Sequence, residues 1–303
     1  MTFHIGIDLG GTKIFGAAIS HDGDTLFTQR RATPRHNYQS TILTISEMVA
    51  AIETELNRTA PVGICIPGSV SPKTGLIQNA NSTWLNDQPF NVDLEEALDR
   101  QLRFENDANC FALSESVDGS GKDVNSVFGV IMGTGVGGGL VIDKKILNGP
   151  RSIGGEWGHC SLPFPTDEEQ KSAALCWCGQ KGCIESWISG PALIMHHNSE
   201  FNASYNSVEE LINGATSYDA DAQTSLEKHA SRTARALSIV VNICDPDTII
   251  LGGGLSELDH LYDMLPKLMA PTIFSSDPHI DIRRPQYGPT SGVRGAARLW
   301  EFS

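Results

Sequence analysis

Ile5-Gly6-Ile7-Asp8-Leu9-Gly10-Gly11-Thr12-Lys13-Ile14 is the stretch on which the fold turns. Phe3 to Ile7 and Ile14 to Ile19 are apolar runs of strand length on either side of a glycine turn, so the chain opens on a β-hairpin. Gly10 and Gly11 let backbone N–H groups come close to an anion, Thr12 offers a hydroxyl, Lys13 a cation, and Asp8 a carboxylate suited to a Mg²⁺-bound water. These are the parts of a phosphate cradle, although plain hairpins also use Gly-Gly turns. Neither a Rossmann fingerprint nor a Walker loop fits, because the spacings differ and a strand, not a helix, follows. The theme returns after the strand Val127 to Met132, as Gly133-Thr134-Gly135-Val136-Gly137-Gly138-Gly139 and the returning strand Leu140 to Ile142. Two such units form a weak internal repeat, which predicts an α/β chain of two related lobes facing one another across a cleft.

Length and charge narrow the function. A chain of 303 residues, 40% apolar and 19% charged, can bury more than one core. A formal net charge of −14 argues against nucleic acid, which needs clustered Lys and Arg to release counterions. No run of 18 apolar residues exists and the N-terminus enters a strand without a signal-peptide pattern, so no membrane role and a cytoplasmic location are expected.

Between the two turns, Ile42, Ile45, Val49, Ile52 and Leu56 recur at helical spacing, and Val62 to Ile66 reads as a buried strand. Asn79-Ala80-Asn81-Ser82-Thr83-Trp84-Leu85-Asn86 is a polar loop in which Asn81 and its neighbours could grip hydroxyls, or serve only as an Asx-rich connection. Asp93 is expected to cap a helix from Leu94 to Leu102, and Arg103-Phe104-Glu105 to run as a strand into Asn106-Asp107. A helix from Ala108 to Val117 follows at once. Asp107 therefore sits where a strand hands over to a helix, the place where α/β folds put ligands, though helix capping alone would also use it. A third glycine turn, Gly252-Gly253-Gly254, follows the buried strand Thr248 to Leu251, and Gly253 and Gly254 could admit a flat adenine ring. Leu226 to Val241 traces a helical core stripe. Ser291 to Trp300 is a small-residue helix fit for close packing, residues 164 to 173 read as an acidic surface loop, and Cys65, Cys110 and Cys244 as small buried hydrophobes.

The most specific stretch is Gly155-Glu156-Trp157-Gly158-His159 followed by Cys176-Trp177-Cys178-Gly179-Gln180-Lys181-Gly182-Cys183-Ile184-Glu185. His159, Cys176, Cys178 and Cys183 can close a tetrahedral Zn²⁺ site, since thiolate and imidazole suit that borderline-soft ion. The Cys-x-Cys-x4-Cys spacing, with the histidine 17 positions upstream, differs from the paired layouts of nucleic-acid-reading fingers. Reduced buried cysteines without metal are the simpler alternative. The flanking carboxylates Glu156 and Glu185 have no use in a purely structural knot and suggest a polar ligand.

Taken in order, Asp8 to Lys13, Asn106-Asp107-Ala108-Asn109, Gly133 to Gly139, Gly155 to His159, the cysteine signature through Glu185 and Gly252 to Gly254 resemble the ROK sugar kinases across essentially the whole chain. Within that family the Asn79 to Asn86 loop resembles the fructokinase, or manno(fructo)kinase, branch, while Val136 to Gly139 is equally at home among N-acetylglucosamine kinases. The resemblance implies a two-lobed actin-like ATPase (ribonuclease H-like) fold. It places a small lobe at residues 1–118 plus 289–303 and a large lobe at 119–288. It further implies transfer from MgATP to the 6-hydroxyl of a hexose, expected to be fructose, with N-acetylglucosamine, glucose or mannose as alternatives. Asp107 is then the catalytic base. Asn81, Asn106, Asp107, Glu156, His159 and Glu185 become the sugar contacts. Asp8, Gly10, Gly11, Thr12, Lys13, Gly133, Thr134, Gly135, Gly137, Gly138, Gly139, Gly253 and Gly254 would hold ATP. Zinc is structural, His159 using one ring nitrogen for the metal and the other for the sugar. A homodimer is implied as well. A silent sugar-sensing regulator is disfavoured, because Asp107 and all three glycine turns are intact.

Overall fold

A computed structural model describes residues 2–302. In chain order the elements are β1 (Phe3–Leu9), β2 (Lys13–Ser20), β3 (Thr25–Ala32), α1 (Tyr38–Glu55), β4 (Val62–Ile66), β5 (Ser69–Val70), β6 (Ile77–Gln78), α2 (Phe90–Leu98), β7 (Leu102–Asn106) and α3 (Asp107–Val117). There follow β8 (Ser126–Met132), β9 (Val136–Ile142), β10 (Lys145–Ile146), α4 (Asp167–Ser172), α5 (Glu185–Ile188), α6 (Gly190–Phe201), α7 (Val208–Thr216) and α8 (Ala220–Cys244). The chain ends with β11 (Thr248–Gly252), α9 (Asp259–Met269), β12 (Ile282–Arg283) and α10 (Ser291–Phe302).

The suspected repeat is visible as topology. One five-stranded sheet runs β3-β2-β1-β4-β7 and the other β10-β9-β8-β11-β12, the same order of third, second, first, fourth and fifth strand. In the first, β1 to β3 pair antiparallel while β1–β4 and β4–β7 pair parallel, so the sheet is mixed. β1 and β4 are almost wholly buried, as parallel strands covered on both faces must be. Helix α1 buries Ile42, Ile45, Met48, Val49 and Ile52 on that sheet and starts where the Asn37 side chain accepts from the Ser40 N–H. On the same sheet α10 comes into backbone contact: a Cβ on Gly6 would stand 1.9 Å from the Val293 carbonyl oxygen, and one on Gly63 1.9 Å from that of Ala296. The small residues at the C-terminus serve the close packing expected of them.

The described chain divides into two compact units, Met1–Gly129 with Gly139–Gly155 and Pro285–Ser303, and Val130–Gly138 with Glu156–Arg284. The expected lobe limits at 118 and 289 differ from this division at residues 119–129, 139–155 and 285–288. Side chains explain the difference. Gly139 lies against α3, where a Cβ would meet the Ala108 carbonyl oxygen at 2.7 Å. The fully buried Glu115 carboxylate of α3 accepts from the N–H groups of Ser120, Gln286 and Tyr287 and from the Ser291 hydroxyl, tying those segments to one helix.

Three local expectations need correction. Helix α2 starts at Phe90, not Leu94, because Phe90 and Leu94 are its buried positions; Asp93 lies in its first turn and accepts from the Tyr38 hydroxyl at 2.6 Å. Leu102 is not helical but opens β7, in register with Val62. Cys65 and Cys110 are buried as expected, whereas Cys244 is exposed on the last turn of α8.

The third correction concerns residues 164 to 173, which hold helix α4 with a capping box between Thr166 and Glu169. Glu169 is buried and accepts from Arg232 at 2.9 Å and Arg235 at 2.8 Å. Burial opposes its charge, but the hydrogen bonds from Arg235 and Arg232 outweigh it and hold the carboxyl at about 2. Stability from this group is therefore present above the ordinary carboxylate range and lost as pH falls through about 2. Replacing Glu169 with Gln strands two guanidinium groups and should cost about 3–5 kcal/mol at pH 7, read by urea unfolding. The mutant's deficit should shrink in acid.

Candidate functional site

In the first unit the phosphate turn stands at the open end of a braced hairpin. The Gly10 N–H donates to the Lys13 carbonyl at 3.1 Å, closing the turn. Thr33 and Arg35 hold it from behind by donating to the carbonyls of Gly10 (2.7 Å) and Gly11 (2.9 Å). Gly11, Thr12 and Lys13 are exposed.

At the end of β1, Asp8 accepts from the Cys65 thiol at 3.4 Å, and its carboxyl is hemmed in by Gly292. Burial, then the charge of Asp107, raises it to about 6. A raised carboxyl favours the folded state below its unfolded value and loses that advantage as pH rises through about 6. We therefore expect Asp8→Asn to stabilise the ligand-free protein by about 1–3 kcal/mol at pH 7–8, discounting for the solvent that still reaches the residue. The gain should vanish near pH 4 in thermal melts, and MgATP should stabilise only the native protein.

Asn106 and Asp107 sit at the junction of β7 and α3. Asn106 is the cap of α3: its Oδ1 accepts from the N–H groups of Ala108 (2.9 Å) and Asn109 (3.4 Å), and its Nδ2 donates to the Gly68 carbonyl (3.2 Å). With Asn106 capping, Asp107 is released from that duty. Its Oδ1 accepts from the Ala108 N–H at 2.8 Å, and the residue is solvent-exposed while surrounding protein raises its carboxyl by desolvation, an effect the adjoining water moderates. A carboxylate so raised is a better proton acceptor. Sequence reasoning missed Glu105, whose Oε1 accepts from the Asn106 N–H and the Asn109 side chain and whose Oε2 accepts from Asn148. An acid beside Asn-Asp in a strand carries no distinctive signal.

In the Asn79 to Asn86 loop the Asn86 side chain is committed to the turn itself. Asn86 accepts from the Ala80 N–H (2.8 Å) and donates to the Ala80 carbonyl (2.9 Å), and the Leu85 N–H reaches the Ser82 carbonyl. Asn81 is exposed. The Trp84 ring packs edge-on against His36, with its Nε1 buried and without a hydrogen-bond partner.

In the second unit the glycine run is shorter as a turn than expected. Gly133 donates to the Gly135 carbonyl at 2.9 Å, and β9 begins at Val136, so Gly137 and Gly138 are strand residues. Gly253, at φ +78°, is pressed on β8, where a Cβ would stand 2.3 Å from the Met132 carbonyl oxygen; no side chain larger than hydrogen fits. Two of the turns meet in one cavity of about 820 Å³, lined by Gly133, Thr134, Gly190, Val208, Ile212 and Gly254 among others. Its apolar walls from α6 and α7 were not foreseen. The only trace of them is Ser189-Gly190-Pro191, a helix start in which Ser189 caps and Gly190 donates to the Gly133 carbonyl.

His159, Cys176, Cys178 and Cys183 converge, their ligand atoms all within 4.8 Å of one another. Cys178 and Cys183 Sγ are 3.5 Å apart, and Cys176 Sγ is 3.6 Å from His159 Nδ1. Zn–S bonds of about 2.3 Å in a tetrahedron put sulfurs about 3.8 Å apart, so the donor set fits zinc. Nδ1 faces the thiols, which leaves Nε2 for another partner. Bound zinc would brace this loop and fix the histidine tautomer. Beside it, Glu185 Oε2 accepts from the Val136 N–H at 2.9 Å and lies where a Cβ on Gly135 would be 2.7 Å away; Oε1 accepts from Trp177 Nε1 at 2.7 Å. Glu156 precedes the short turn Trp157–His159, whose Trp157 Nε1 donates to the Gly137 carbonyl.

The predicted residues thus fall into two groups. Asp8 to Lys13, Asn81, Asn106, Asp107 and Gly139 belong to the first unit; Gly133 to Gly138, Glu156, His159, the three cysteines, Glu185, Gly253 and Gly254 belong to the second.

Two mixed α/β sheets of one topology, glycine turns at strand ends and a His-Cys₃ knot define an actin-like ATPase fold of the sugar-kinase type. The ROK family model matches residues 4–302, and the chain belongs to the ROK family. It is 33% identical over 301 residues to an N-acetyl-D-glucosamine kinase of Haemophilus influenzae (strain 86-028NP), covering 98% of this chain and 99% of that one. The N-acetyl-D-glucosamine kinase of Pasteurella multocida (strain Pm70) is 34% identical over 299 residues, covering 97% and 98%. Among solved structures, a ROK hexokinase from Thermus thermophilus superposes with a TM-score of 0.86 at 28% identity, covering 98% and 97%. A ROK family glucokinase from Streptomyces griseus, in complex with glucose and AMPPNP, gives 0.79 at 27% identity, covering 98% of each chain. The curated relatives are N-acetyl-D-glucosamine kinases, which favours the alternative sugar over the fructose expectation. In the loop on which the fructose expectation rested Asn86 is bonded to Ala80, while the Val136 N–H donates to Glu185 and the Gly137 carbonyl accepts from Trp157.

Proposed function

We propose that this ROK-family sugar kinase transfers the γ-phosphoryl group of MgATP to the 6-hydroxyl of N-acetyl-D-glucosamine. The observation that carries the reaction is Asp107, an exposed carboxylate with a raised pKa, beside Asp8 and freed from capping by Asn106. As the sugar O6 bonds to the γ-phosphorus and the bond to the ADP oxygen breaks, Asp107 takes the O6 proton. In the first unit Asp8 would hold a Mg²⁺-bound water and the turn Gly10 to Lys13 would meet phosphate oxygens; in the second, the turn Gly133 to Gly135 is the anion-binding candidate. The cavity walled by α6 and α7 receives the adenosine, against Gly254. Glu156, His159 Nε2 and Glu185 read the sugar hydroxyls, and a site built on such bonds rejects a sugar lacking them. The choice of N-acetyl-D-glucosamine rests on the near full-length relatives at 33% and 34% identity.

Coupled ADP release over N-acetylglucosamine, glucose, mannose and fructose tests this. N-acetylglucosamine should give the highest kcat/KM. Fructose in first place would sink the sugar assignment, and no stimulation by any sugar would sink the kinase reading.

A further inference from the structure

Trp177 lies between two of the zinc-ligand cysteines and is 60% exposed, yet it is held at two points. Its Nε1 donates to Glu185 Oε1 at 2.7 Å, and its ring meets the His159 ring edge-on at 5.0 Å and 89°. An exposed indole adds little to a core, so this arrangement calls for a reason other than packing. Glu185 supplies one. Its Oε2 accepts from the Val136 N–H, and its Oε1 from Trp177 and, at 3.9 Å, from the Cys176 thiol; with Cys176 held as a zinc thiolate that third donor is gone, and one of the two acceptor sites on each oxygen is left for hydroxyls. The two donors fix the carboxylate's rotation and aim the remaining sites in one direction. The indole beside them offers a flat apolar surface with little rotamer entropy to lose.

We propose that Trp177 is a positioning and specificity residue for the sugar. Its N–H locks the Glu185 carboxylate, and its exposed ring forms an apolar wall for the C–H surface and acetamido methyl of the bound sugar. This rests on Glu185 being a sugar contact, as in the function proposed above. The ring belongs to the same compact unit as Glu156, His159 and Glu185, so the wall and the hydroxyl readers come as one piece.

The test uses full-length, zinc-loaded protein and the variants Trp177→Phe, Trp177→Ala and Glu185→Gln. Trp177→Phe keeps a ring and loses the donor; loss of a hydrogen bond to a charged group should raise the KM for N-acetylglucosamine about tenfold. Trp177→Ala should raise it further and narrow the preference for N-acetylglucosamine over glucose. The KM for ATP and one zinc per chain should hold in both. Sugar should also shift the intrinsic fluorescence of the native protein, and Trp177→Phe, with the other four of the five tryptophans in place, should lose most of that shift. Glu185→Gln separates the two levels. If it raises the sugar KM while Trp177→Phe changes neither KM nor the fluorescence response, the role of Trp177 is overturned and Glu185 stands as a sugar contact. If Glu185→Gln leaves the KM unchanged, both fall. Loss of zinc from Trp177→Phe would make the residue a brace of the metal loop and overturn the proposal too.

Discussion

Asp107→Asn should lower kcat by about 10²–10⁴-fold while leaving sugar affinity within a few-fold, since that is the range a positioned general base contributes. The substitution is nearly isosteric, and α3 keeps its start because the cap is the Asn106 side chain. What is lost is the proton acceptor. The Oδ1 contact to the Ala108 N–H shows the carboxylate poised at the first turn of α3, where the helix dipole favours the charge that surrounding protein disfavours. Rapid-quench single turnover separates chemistry from binding, and calorimetry gives sugar affinity directly. A near-normal single-turnover rate would remove Asp107 from the proton transfer and leave positioning as the whole of catalysis.

Cys178→Ser should release zinc and lower stability by about 3–5 kcal/mol, because a serine hydroxyl is a poor zinc ligand and metal binding is folding free energy. Apart from the Trp177 contacts and the bridge from Ser161 to Cys183, the loop is held by its own turn. From Ala174 to Gly182 it is a small hairpin with an isolated bridge between Leu175 and Lys181 and backbone bonds from Cys176 to Gln180, Gly179 to Cys176 and Gly182 to Ala174. His159 should lose its fixed orientation with the metal, so the sugar KM should rise in what protein remains folded. Elemental analysis and thermal denaturation check both parts, and one zinc per chain with an unchanged melting temperature would contradict them.

The duplicated architecture was legible in the chain because both hairpins keep strand-length apolar runs around glycine. Those runs occupy buried strands, where the pattern has few other readings. The cluster of His159, Cys176, Cys178 and Cys183 was legible because four such donors at this spacing have few alternative uses. The failures are of another kind. Helix α2 was misplaced because Asp93 offers the signal of a cap while the burial of Phe90, a tertiary fact, decides where the helix starts. Residues 164 to 173 looked like a loop because the partners that bury Glu169 are arginines more than 60 positions away; the Thr166-x-x-Glu169 box was the local clue. The cavity beside Gly133 and Gly254 was half legible. Glycines mark turns, but the walls of α6 and α7 are ordinary apolar residues that any helix could carry. Likewise the amides of Asn79 to Asn86 suggested a sugar grip, and only the structure shows Asn86 committed to Ala80.

The most direct test of the central claim is the product itself. Purified protein with MgATP and N-acetyl-D-glucosamine should yield ADP and one sugar phosphate. Its phosphorus should couple to the two protons on C6 in a phosphorus–proton NMR correlation, with one phosphate formed per ADP. A phosphate on another carbon, or ADP formed without any sugar phosphate, would contradict it.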